Sequence, residues 1–125
     1  EVLYKTGMLN RDINSELKQY KTYWIADSAE PKSIADLQFM GMSVLGATKG
    51  ADSINNGIQL IQAESVSITK RSTNIIKEMR YYSWDKDKDG NRTGKPIDNY
   101  NHGMDAIRYI ALNKFNKGNQ KIRLY

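Results

Sequence analysis

Strand-like and helix-like segments alternate from residue 2 to residue 79, and this order restricts the fold more than any other feature of the chain. Val2, Leu3 and Tyr4 form a short apolar run, after which NRDINSELKQY carries Ile13 and Leu17 four apart. Tyr23 to Ala26 is the next run, too compact to alternate and so expected to be buried on both faces. A helix from about Ala29 to Gly41 follows, with Pro31 in its first turn and Ile34, Leu37 and Met40 every three residues. Ser43 to Ala47 precedes a helix that Asp52 or Ser53 can cap, with Ile54, Ile58 and Ile61 on one face. SVSIT at 65–69 precedes a short helix opened by Ser72 or Thr73, with Ile75, Ile76 and Met79 inward. The series predicts an α/β layer with parallel neighbouring strands rather than a bundle or a sandwich.

After Arg80 the pattern changes. YYSW leads into DKDKDGNRTGKP, a polar run rich in turn residues, which predicts a β-hairpin near residues 80–98 with a long solvated tip. Tyr81, Tyr82 and Trp84 are expected to cover the sheet. DKDKDG, from Asp85 to Gly90, begins like a calcium-binding loop, but the twelfth position counted from Asp85 holds Pro96 instead of a glutamate. Alternating Lys and Asp read better as a soluble turn. From Asn101, NHGMDAIRYIALNKF sets Met104, Ile107, Ala111 and Phe115 at helical spacing, with Asn101 as cap, and the basic NKGNQKIRLY closes the chain.

The 125 residues suit a single domain over 1–125 that can bury a core without disulfides. With no cysteine, neither a disulfide framework, a cysteine zinc site nor thiol redox chemistry is available. No apolar run approaches the roughly 18 residues a membrane span needs, so a soluble intracellular protein is expected. A net charge of +5 permits a phosphate-bearing partner without requiring one. The chain opens at Glu1 in what reads as the middle of a strand, which predicts a piece of a longer protein.

Asp27, at the end of YWIAD, has two readings. It can cap the next helix, or it can hold a metal ion over the sheet edge, because ligands of open α/β sheets bind beyond the carboxyl ends of the strands. Asp105 lies on the first turn of the last predicted helix. If that helix packs on the same edge, the two carboxylates converge, and facing carboxylates repel unless a cation or proton lies between them. Ser28 is then left to cap the helix that Pro31 begins. His102, the lone histidine, stands three residues before Asp105 and so shares its face of the turn. Lys32, Lys49, Lys70 and Arg71 recur at predicted strand ends or first turns, a positive rim suited to a polyanion or, equally, ordinary loop lysines.

With these residues in place the chain resembles the C-terminal nuclease domain of the large terminase subunit of tailed double-stranded DNA bacteriophages. The likeness rests on YWIADSAEPKSI, GATKG with DSINNGIQLIQ, SVSIT, YYSWDKDKDGNRTGKPID and NHGMDAIRY, in that order over nearly the whole chain. It implies a ribonuclease H-like fold: a mixed, mainly parallel central sheet flanked by helices. It also implies two divalent ions, Mg2+ or Mn2+, held by acids that cut concatemeric DNA during genome packaging. Asp27 matches the family's second acid and Asp105 its last, and His102 occupies a position that some members use beside the metals.

The family's first acid lies on the first strand of the domain, and this chain begins after it. Glu1, Asp12 and Glu16 do not stand in a matching context. The resemblance therefore implies an endonuclease in the intact parent and weak or no activity in these residues alone. The sheet, normally two strands longer, would leave Val2 to Tyr4 as an exposed edge open to homodimer pairing. Implied partners are double-stranded DNA, the ATPase domain of the parent chain, the small terminase subunit and the portal protein, in the cytoplasm of a bacterial host. No GxxxxGK[ST] run occurs, so no ATP chemistry is expected here. The alternatives are another ribonuclease H-like nuclease or integrase, and a noncatalytic DNA-docking and packaging-assembly module.

Overall fold

The computed structural model describes residues 1–115. Along them run α1 (Asn10–Leu17), β1 (Trp24–Ala26), α2 (Pro31–Phe39), β2 (Val44–Gly46), α3 (Ser53–Gln62), α4 (Thr73–Tyr81), β3 (Trp84–Lys86), β4 (Arg92–Pro96) and α5 (His102–Phe115). The basic tail from residue 116 lies outside the described residues. None of the described helices is long and apolar enough to cross a membrane.

β1 and β2 are parallel, with Trp24 opposite Val44, Ile25 opposite Leu45 and Ala26 opposite Gly46. Parallel neighbours need a crossover, and α2 supplies it. Its apolar face brings Leu37 against Met42 and Val44, and Ile13, Leu17, Trp24, Ala26 and Ile34 pack around them. α5 packs against β1, α3 and α4. It buries Tyr109, Ala111 and Leu112. α3 comes so near α5 that a Cβ at Gly57 would lie 2.3 Å from Cγ of Arg108. The glycine is what lets the long Arg108 stem pass between the two helices.

β3 and β4 form the expected antiparallel hairpin. Its DKDKDG tip is a turn closed on Asp87, whose Oδ1 accepts the N–H groups of Asp89 and Asn91 at 2.9 and 2.8 Å. Tyr81 is the last residue of α4 and stacks on Tyr100, ring centroids 5.0 Å apart, instead of covering the sheet.

Several expectations fail for identifiable reasons. Residues 2–4 and 65–69 form no strand ladder. The first segment is anchored by side chains, with the Glu1 carboxylate accepting from Asn74 and the Ile75 N–H and the Tyr4 hydroxyl donating to Glu78. Val2 to Tyr4 thus has no strand neighbour among the described residues. β1 has a single strand neighbour among the described residues, so its three positions are half-buried rather than buried on both faces. Met79 is exposed while Glu78 turns inward.

The caps also differ. Ser28 makes no capping bond. α2 starts behind Glu30, which leaves Ser28 too far back to reach the first free N–H groups. Asp52 precedes α3 in a left-handed conformation, φ 58°, and gives no side-chain cap. Asn101 accepts the Asp105 N–H through its backbone carbonyl, while its side chain donates to Asp98.

Candidate active site

The carboxyl ends of β1 and β2 create the site. The ladder closes where the Ala47 N–H donates to Ala26 O at 2.7 Å, so Asp27 is the first residue released from it. Its Oδ1 accepts the Ala29 N–H at 2.8 Å, shaping the turn toward α2. The same oxygen takes a short hydrogen bond from the ammonium of Lys49, three residues beyond Gly46 at the matching end of β2. Oδ2 accepts the Tyr109 hydroxyl at 3.1 Å from α5. Asp27 does not cap α2, whose N-cap is Glu30 and which has no side-chain cap; its bond to the Ala29 N–H shapes the turn before the helix and is one of three that the carboxylate accepts.

Lys49 is the main reason the Asp27 carboxyl is held below the usual range, with the Ala29 N–H next and burial opposing both. The Lys49 ammonium is held above its usual value in return, chiefly by Asp27, and lies 5.4 Å from the centroid of the Tyr109 ring.

Asp105 reaches the same region from the first turn of α5, one helical turn before Tyr109. Its Oδ1 accepts Nη2 of the buried Arg108 at 2.6 Å. Arg108 presents that nitrogen because Gly57 leaves room for its stem. Burial raises the Tyr109 hydroxyl above its ordinary value, and the charges of Asp105 and then Asp27 raise it further. Tyr109 therefore stands in the field of both acids. Tyr82, half-buried at the end of α4, is raised by burial first and by Asp105 second.

α5 owes its placement to Glu78. This carboxylate is 3% exposed. Its Oε2 accepts the N–H groups of Gly103 at 2.6 Å and Met104 at 3.0 Å, two of the donors that the first turn cannot satisfy internally. A Cβ at Gly103 would lie 3.0 Å from that oxygen.

The structure thus joins Asp27 to Lys49 and Tyr109, and joins Asp105 to Arg108. His102 stands apart. It is exposed, forms no hydrogen bond to Asp105, and lines a different cavity with Glu1, Leu3, Tyr4 and Ile75. Lys32, Lys70 and Arg71 are exposed, the first on α2 and the others in the loop before α4. Among the described residues no group of three or more acids, histidines or cysteines is gathered for a metal. Asp27 and Asp105 are nonetheless the right type: hard oxygen donors that suit Mg2+ or Mn2+ better than a soft ion.

Sequence reasoning missed Tyr109, Arg108 and Glu78. The signals were present as spacings: Arg108 and Tyr109 stand three and four residues after Asp105, and Glu78 stands three after Ile75 on an inward face.

A family model described as the Terminase RNAseH like domain matches residues 1–113. The large terminase subunit of Bacillus phage SPP1 is 36% identical over an alignment of 98 residues, a match that covers 75% of this chain and 23% of that protein. The crystal structure of the large terminase nuclease domain from bacteriophage SPP1, with bound Mn, is similar with a TM-score of 0.68 at 31% identity, over 81% of this chain and 59% of that one. The fold is ribonuclease H-like.

Proposed function

The chain belongs to the terminase RNase H-like domain family, and on that premise we propose that it is the greater part of a nuclease domain that cuts phage DNA during packaging by metal-dependent phosphodiester hydrolysis. The observation that supports the reading is Tyr109 on α5, which donates its hydroxyl to Asp27 just past β1, stands one helical turn after Asp105, and has its hydroxyl raised by burial first and then by the charges of both acids. In this reading Asp27 and Asp105 are the metal ligands, for two ions of Mg2+ or Mn2+ in the intact domain. Asp27 and Asp105 would hold the ions, and the chemistry so supplied would be activation of an attacking water and stabilisation of the leaving oxygen.

The chain's own residues do the positioning. Arg108 fixes the rotamer of Asp105, while the Ala29 N–H and the Tyr109 hydroxyl hold Asp27 in place. Lys32, Lys70 and Arg71 attract the phosphate backbone from exposed positions, and His102, exposed at the start of α5, lines the cavity formed with Glu1, Leu3, Tyr4 and Ile75. Two acids alone form a thin ligand set, so the 125 residues by themselves cleave weakly. The intact protein would add an ATPase domain and work with the small terminase subunit and portal protein in the host cytoplasm.

Plasmid nicking in Mn2+ tests this reading. In the full-length protein, Asp27→Asn and Asp105→Asn are expected to lower the rate by a factor on the order of a hundred or more. Asp105→Asn also strips the buried Arg108 of its partner, so its fold must be checked by circular dichroism, whereas the half-exposed Asp27 carries no such burden. Full nicking by the 125 residues, lost in Asp105→Asn, would contradict the claim of a thin ligand set. Salt-dependent duplex binding that survives both substitutions, without metal binding by calorimetry, would favour a docking module instead.

A further inference from the structure

We propose that Lys49 is a positioning residue that holds the Asp27 carboxylate until a divalent ion takes it, and whose ammonium then turns to a phosphate oxygen of the DNA. The inference rests on the reading of Asp27 as a metal ligand.

Three donors occupy Asp27, and they differ in freedom. The Ala29 N–H belongs to the main chain and the Tyr109 hydroxyl to a buried ring, so neither can leave without moving an element. Lys49 is on the exposed loop between β2 and α3, at the end of a flexible four-carbon stem, and its side chain is 40% exposed. It is the one donor that can depart at small cost. A hard divalent ion prefers the same carboxylate oxygen and repels an ammonium beside it, so the two compete.

Lysine suits the exchange better than arginine would. Its compact charge and rotating donors make no bidentate fork to break, and a point charge also serves a phosphate oxygen. The Tyr109 ring, 5.4 Å from the ammonium, keeps it beside the site. Lys49 therefore differs from Lys32, Lys70 and Arg71, which form no ion pair among the described residues.

The test is a Mn2+ titration of the 125-residue chain and of its Lys49→Met and Asp27→Asn variants, read by paramagnetic broadening of backbone amide NMR signals. Removing the competitor is expected to tighten Mn2+ binding about two- to fivefold, the range for a partly exposed ion pair. Asp27→Asn should weaken it. In the full-length protein Lys49→Met should slow plasmid nicking while lowering the Mn2+ concentration for half-maximal rate, a split that a purely structural role would not give. Unchanged or weaker binding in Lys49→Met, with weaker binding in Asp27→Asn, overturns the exchange and leaves the metal reading standing. Unchanged binding in Asp27→Asn removes the metal reading itself.

Discussion

Asp27 accepts hydrogen bonds from a backbone N–H, an ammonium and a phenol, each delivered by a different part of the chain. Such a carboxylate is held in one orientation before any ligand arrives, which is what a metal site requires of its supporting residues. Of the three, the phenol ties α5 to the sheet. Tyr109→Phe keeps the buried ring and removes only that bond, so the cost should be near the net worth of one hydrogen bond to a charged, partly solvated acceptor, about 1–1.5 kcal/mol. Urea unfolding of the 125 residues measures it. A loss below a few tenths would mean that water replaces the hydroxyl, and that α5 is held on β1 by packing alone. The same residue scale shows how far a reader of the sequence could go. Asp27 and Asp105 could be singled out in the sequence only as a pair, because an acid at a strand end or in a first helical turn alone has an ordinary reading as a cap or as a partner of the helix dipole. Lys49 was legible as a basic rim residue but not as the partner of Asp27, because that pairing depends on the register that sets Ala26 opposite Gly46.

At the scale of elements, α1, α2, α3, α4 and α5 and the hairpin stand close to where periodicity put them, since each buries a face or closes a turn within its own residues. β1 and β2 were also legible. The segments at 2–4 and 65–69 were not, because a strand is defined by its neighbour and neither sequence says which segment will lie beside it. Caps failed for a related reason: α5 is capped by Glu78, a residue 25 positions away, and no local pattern reports such a partner. The hairpin tip offers a test at this scale. Asp87 is held below the usual carboxylate range, first by the backbone N–H of Asn91, with burial opposing. Because the folded value is depressed, the turn's contribution is fully present above the ordinary value of about 3.9 and is lost as pH falls through the lowered one. An acid titration followed by the Asp89 and Asn91 amide signals should therefore show its midpoint below that ordinary value. A midpoint at or above it would mean that the two N–H bonds do not persist in solution.

For the whole molecule, the core is divided. Leu37, Met42 and Val44 form one cluster on the α1–α2 side, while Tyr109, Ala111 and Leu112 are buried along α5, and the candidate site lies at the end of the β1–β2 pair that joins them. Many large apolar side chains remain exposed among the described residues, Phe39 at 93%. A chain with so small a buried set has little stability to spare, since small domains are held by about 5–15 kcal/mol in total. Leu37→Ala should therefore weigh heavily. It removes the centre of the cluster that fixes α2 and so the spacing between Asp27 and the end of β2, at a cost of about 2–5 kcal/mol. Phe39→Ala, two residues on, removes a larger side chain that touches almost nothing and should stay within about 0.5 kcal/mol. The pair, compared by urea denaturation, separates burial from hydrophobicity as the origin of stability here. If Phe39→Ala costs as much as Leu37→Ala, the α2 surface around Phe39 is covered in solution rather than open to water.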